Sequence, residues 1–185
     1  LTQMYTDNAV AFLEKQGDQP FFLYVPHSFP HVPHYASGEN AGSSKGGTYG
    51  DVVEDLDRST GRILAALERL ELSHNTLVIV TSDNGGDYNG SAGQLRGRKQ
   101  DILEGGQRVP MLVRWPGRVP AGLVTDSMAM NTDLLPTILE LLDISAPEDR
   151  IIDGKSIAGT LFNGSSSHEE LYYFPTLETM PGAVR

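Results

Sequence analysis

Thr76-Leu77-Val78-Ile79-Val80-Thr81-Ser82-Asp83-Asn84-Gly85-Gly86 is the stretch on which the fold turns. Its first half is a short, continuous apolar run, the pattern of a strand buried on both faces. Its second half changes at once to a carboxylate, an amide and paired glycines. Asp83 and Asn84 offer hard oxygen ligands suited to calcium or magnesium. Adjacent side chains on a regular strand point to opposite faces, so both reach one ion only if the backbone turns, and Gly85-Gly86 permits that turn. The same four residues are also favourable turn chemistry, and on composition alone that reading stands beside the metal site.

Outward from this strand, helices alternate with apolar runs. Residues 6–16 read as a helix, with Thr6 or Asp7 as N-cap. Phe21-Phe22-Leu23-Tyr24-Val25 is a second buried-type strand, and Pro26 to Gly50 a long, proline-punctuated loop. Residues 51–71 place Val52, Leu56, Ile63, Leu67 and Leu70 at helical spacing. Val109–Trp115 is a third strand and Val124–Met130 a weaker fourth. Asp133–Leu142 is a helix with Pro136 near its start, and Asn163 to His168 is loop. This order predicts one α/β domain with a largely parallel sheet, in which ligands gather where loops leave the carboxyl ends of strands.

The chain has 185 residues, with 39% hydrophobic and 21% charged, a globular composition. Fourteen basic against 24 acidic residues give a net charge of -10, which disfavours nucleic acid or an anionic membrane as partner. The absence of cysteine excludes a disulfide framework, a thiolate metal site and a cysteine nucleophile. No run approaches the roughly 20 apolar residues of a membrane span, and no leader follows Leu1. A start without methionine is that of a mature product or a fragment.

Two more loops carry candidate chemistry. In Pro26-His27-Ser28-Phe29-Pro30-His31-Val32-Pro33-His34, prolines flank His31 and hold its backbone, so that its ring could serve an anionic group or a leaving oxygen. Leu95-Arg96-Gly97-Arg98-Lys99-Gln100 leads to Glu104-Gly105-Gly106-Gln107-Arg108-Val109-Pro110, and its cations beside glycines suit a tetrahedral oxyanion. A solvated histidine-proline loop and a solvated basic loop are the alternatives. Gly154-Lys155-Ser156 is not a phosphate loop, because Asp149 stands where a glycine is needed. Asn89-Gly90-Ser91 and Asn163-Gly164-Ser165 are glycosylation sequons by pattern only.

Taken in order, these segments resemble the sulfatase family, of the arylsulfatase type. The likeness also takes in Tyr49-Gly50-Asp51-Val52-Val53-Glu54-Asp55-Leu56-Asp57, Arg114-Trp115-Pro116-Gly117 and Asp153-Gly154-Lys155-Ser156. It implies the alkaline-phosphatase-like α/β sandwich and hydrolysis of a sulfate ester on a sulfated small molecule or glycan. It implies a divalent ion, calcium before magnesium, with Asp83 and Asn84 matching two of its ligands. His31 matches the histidine at the sulfate or its leaving oxygen, and Lys99 the lysine that binds the sulfate. The resemblance further implies an exported protein, whether periplasmic, secreted or lysosomal.

The departures are as specific. The family's nucleophile is a formylglycine made from Cys or Ser in a Cys/Ser-x-Pro/Ala-x-Arg motif, and no residue here meets that pattern. The early Asp-Asp pair that completes the metal site is absent too. Residues 1–185 are therefore expected to be a carboxy-proximal part of the catalytic domain, its sheet incomplete on the N-terminal side and the chain alone inactive. A phosphate or phosphonate ester hydrolase of the same superfamily and a non-catalytic binding domain are the rival readings.

Overall fold

The computed structural model describes residues 1–175 and 181–185. These form two compact units, Leu1–Thr76 and Leu77–Arg185.

The first unit is built on two helices, α1 (Thr2–Gln16) and α2 (Gly47–Arg69). Thr6 Oγ1 meets Ser59 Oγ at 2.6 Å, Arg62 pairs with Asp7 and Arg69 with Glu14. Numbers rise together along both helices, so the two run parallel. Ala9 and Leu13 of α1 and Val52, Ala66 and Leu67 of α2 are the buried apolar residues of these helices. The sequence places these helices at 6–16 and 51–71, and both extend further toward their N-termini.

The predicted strand Phe21–Val25 is a correction. It is extended, but it joins no ladder among the described residues. Phe21, Leu23 and Val25 are half-buried, with Phe21 edge-on to Phe12 at 6.0 Å, whereas Phe22 and Tyr24 are 76% and 75% exposed. An apolar run describes side chains, while a strand also needs a partner to take its N–H and C=O groups.

The loop that follows is pinned to the first turns of α2. Asp51 accepts the N–H groups of Ser44 at 2.7 Å and Gly42 at 2.8 Å. One turn on, Asp55 accepts Ser37 N–H at 2.7 Å, the Ser37 hydroxyl and the Asn40 amide. The Ser44 N–H, then that of Gly42, hold the Asp51 carboxyl below the usual carboxylate range.

In the second unit β1 (Val78–Thr81) pairs antiparallel with β2 (Met111–Arg114), with Thr81 opposite Met111. A one-turn α3 (Glu104–Gln107) precedes β2. A 3-10 turn at Asn131–Asp133 leads into α4 (Leu134–Leu141), and α5 (Ala158–Asn163) follows. A short antiparallel pair, β3 (Tyr172–Tyr173) with β4 (Ala183–Val184), closes the chain. Both ladders among the described residues are antiparallel and two-stranded, and the largely parallel sheet expected from the alternation of elements is not seen among them. The predicted strand at 124–130 is irregular, with Val124 exposed.

Asp133 organises this unit's interior. Its side chain is fully buried and accepts the N–H of Met130 at 2.7 Å, the N–H of Lys155 at 2.9 Å and His168 Nε2 at 2.8 Å. Thr137 adds a relay: its hydroxyl donates to Asp133 O at 2.6 Å and accepts Ile157 N–H at 2.9 Å. The backbone passes so close that a Cβ on Gly154 would lie 2.2 Å from Thr132 O. Three stretches distant in sequence are thus joined through one carboxylate.

Candidate functional site

The end of β1 turns at once, as the glycine pair predicts. Ser82 Oγ donates to Asn84 O at 3.2 Å, and the Asn84 amide donates to the Asp83 carboxylate. The two side chains therefore meet from adjacent positions, through the amide nitrogen of Asn84. Asn131 Nδ2 donates to Ser82 O at 3.0 Å and ties the strand end to the turn before α4.

Backbone hydrogen bonds then lace this end to the lysine loop. Gly85 N–H donates to Gly106 O at 2.9 Å, Lys99 N–H to Gly86 O at 2.9 Å and Gly105 N–H to Arg96 O at 2.7 Å. Such close passage of three backbone segments is what selects glycine. A Cβ on Gly85 would stand 2.0 Å from Gly105 O, one on Gly105 2.2 Å from Gly97 O, and one on Gly106 2.3 Å from Arg98 O. Gly97 itself has φ +91°, a backbone that side-chain-bearing residues rarely adopt. Asp101 caps the loop from within by accepting Arg98 N–H at 2.9 Å. Asp83, Asn84 and the half-buried Lys99 consequently belong to one knot. Next to Lys99, the Arg98 guanidinium lies over the Tyr88 ring, 4.1 Å from its centroid.

Glu104 is a member of this knot that residue types alone do not reveal. Its carboxylate accepts the Tyr173 hydroxyl at 2.9 Å and Arg185 Nη1 at 3.0 Å, with Arg108 at 3.7 Å. It anchors the β3–β4 hairpin to the glycine turn. Burial first, then the bond to Glu104, push the Tyr173 hydroxyl above its usual pKa. Its partners lie 69 and 81 residues away, so no local pattern signals the contact.

His31 lies in the first unit and is exposed. Its Nδ1 is 2.8 Å from Val32 O, which can only accept, so Nδ1 carries a proton and Nε2 is the nitrogen left for other work. Around it Leu1, Phe29, Val32, Pro33 and Tyr35 form an apolar hollow. The other two histidines of the loop are held inward. His34 Nε2 bonds Pro30 O at 2.9 Å, and His27 Nε2 lies 3.3 Å from Ser59 Oγ. Burial lowers the His27 pKa.

No group of three or more His, Asp or Glu side chains gathers as a metal cage among the described residues. Asp83 and Asn84 nonetheless offer a carboxylate and an amide oxygen, donor types that suit a hard cation.

In this α/β unit the carboxyl end of β1, with Asp83 and Asn84, is laced by backbone hydrogen bonds to the loop that carries Lys99. The profile of the Sulfatase family matches residues 1–144, and the chain belongs to that family. It is 39% identical over 182 residues to N-acetylgalactosamine-6-sulfatase of Canis lupus familiaris, covering 94% of this chain and 35% of the relative. It is 40% identical over 186 residues to steryl-sulfatase of Rattus norvegicus, covering 94% and 32%. Among solved structures, the PsFucS1 sulfatase from Pseudoalteromonas sp. superposes with a TM-score of 0.91 at 29% identity, over 99% of this chain and 38% of that one. The α/β fold is accordingly that of the sulfatases, alkaline-phosphatase-like in class. The chain spans about a third of the length of the curated relatives it matches.

Proposed function

We propose that the protein carrying this chain is a sulfuric ester hydrolase, and that the chain supplies the sulfate-handling and part of the metal-binding side of its catalytic domain. The observation that carries the reading is the glycine knot, which holds Lys99 to the strand end bearing Asp83 and Asn84. Asp83 and Asn84 would provide two of the oxygens around a calcium ion, the remaining ligands coming from outside the described residues. When bound, such an ion draws negative charge from the sulfate oxygens, and a formylglycine outside this chain would supply the nucleophile.

The chain's own residues account for the rest of the chemistry. Lys99 is a compact ammonium on a rigid loop, suited to orient the sulfate and to offset charge growing on its non-bridging oxygens. His31, with Nδ1 donating to Val32 O, presents Nε2. In its imidazolium form that nitrogen gives a proton to the departing alcohol oxygen. The substrate class is a sulfated small molecule or glycan, and export is the compartment that the family likeness favours. No helix of the described residues is long and apolar enough to cross a membrane.

The test is turnover of an aryl sulfate by the longer protein that carries this chain, with an aryl phosphonate as competitor substrate. Lys99→Ala should lower kcat/KM by about 10²–10³-fold, the usual effect of removing one charge-stabilising donor. Asp83→Ala should weaken activation by calcium. Wild-type activity in both variants, or preference for the phosphonate, would overturn the assignment.

A further inference from the structure

Asn84-Gly85, Asn89-Gly90 and Asn163-Gly164 are three chemically identical Asn-Gly pairs. In such a pair the glycine nitrogen can attack the asparagine side chain, because no side chain on the glycine obstructs the approach. The fold treats the three differently. Gly85 N–H is bound to Gly106 O at 2.9 Å, and the Asn84 amide is bound to Asp83. Gly164 N–H is bound to Thr160 O at 3.1 Å, and Asn163 Oδ1 accepts Ser165 N–H at 2.9 Å. In each of these pairs both the attacking nitrogen and the amide under attack are held.

Asn89-Gly90 is the exception. Asn89 is exposed, and its own N–H rests on Asp87 Oδ1 at 2.9 Å. Among the described residues, neither its side-chain amide nor the Gly90 N–H has a hydrogen-bond partner. We propose that Asn89-Gly90 is a site of spontaneous deamidation, selected over the other two pairs by this freedom. Gly90 N, losing its proton to solvent base, bonds to Asn89 Cγ. The Cγ–Nδ2 bond breaks, and Nδ2 takes up a proton and leaves as ammonia. Water then opens the resulting cyclic imide at either carbonyl, leaving aspartate or isoaspartate. The balance is one water in and one ammonia out. The product places a new carboxylate in the loop between Asn84 and Lys99, a loop whose neck is closed by Lys99 N–H on Gly86 O. The Gly90 backbone lies near that neck, since a Cβ on Gly86 would stand 3.3 Å from Gly90 Cα.

The experiment ages the purified, unglycosylated protein at mildly alkaline pH under native conditions and follows each Asn-Gly peptide by mass spectrometry. Asn89 should convert about tenfold or more ahead of Asn84 and Asn163, whose hydrogen bonds must first open. In denaturant the three rates should converge. A Gly90→Val variant should lose most of the Asn89 signal, because a branched side chain crowds the attacking nitrogen. Faster conversion at Asn84 or Asn163, equal native rates at all three, or an Asn89 rate untouched by Gly90→Val would overturn the proposal.

Discussion

Gly105 shows how a single missing side chain can decide a site. Its N–H donates to Arg96 O while its α-carbon faces Gly97 O, at a distance that leaves no room for a methyl group. Gly105→Ala should therefore cost about 1–3 kcal/mol, as overpacking does, read as a lower denaturant midpoint at unchanged slope. His27 is the second residue with a clear consequence. Burial lowers its folded pKa, so between the two values the unfolded chain binds the extra proton. Its contribution to stability is complete above the ordinary histidine pKa of about 6.5 and is lost as pH falls through the lower folded value. A His27→Gln variant should flatten the stability profile over that interval while leaving it unchanged at higher pH, checked by melting at a series of pH values.

Between the elements, the buried carboxylate of Asp133 joins the turn before α4 to the segments at Lys155 and His168. His168→Ala would remove one of its three partners and leave a fully buried oxygen underpaired. The expected loss is about 1–3 kcal/mol, measured by urea unfolding, with His168→Gln recovering part of it. The elements legible in the sequence are those specified locally. The amphipathic spacing of 51–71 gives α2, the apolar runs at 76–81 and 109–115 give β1 and β2, and the Asp133–Leu142 pattern gives the turn and α4. Phe21–Val25 has the same apolar content as β1, yet its pairing depends on a neighbouring strand that no local pattern encodes. The short β3 and β4 escape the sequence because their backbone bonds, Leu171 with Arg185 and Gly182 with Tyr173, are made across a hairpin.

For the molecule as a whole, the order of motifs carries more than any motif alone. Asp83, Asn84 and Lys99 can be picked out by residue type, and the structure brings them into one knot. Glu104 and the buried role of Asp133 cannot be picked out, since the partners that tie each to distant segments lie 22 to 81 residues away. The 185-residue chain has no cysteine and no serine in a formylglycine motif, so alone it should give no turnover of an aryl sulfate at any calcium concentration. Turnover by the pure chain would contradict this. The hydrogen bond from Lys99 to Gly86 has a consequence for divergence within the family. It fastens the neck of the intervening loop, so residues can be gained or lost beyond it while the lysine and the acidic strand end keep their spacing. Doubling the length of such a loop costs only about 0.6 kcal/mol in closure entropy. Lengthening that loop beyond its neck should therefore leave the position of Lys99 against the strand end unchanged.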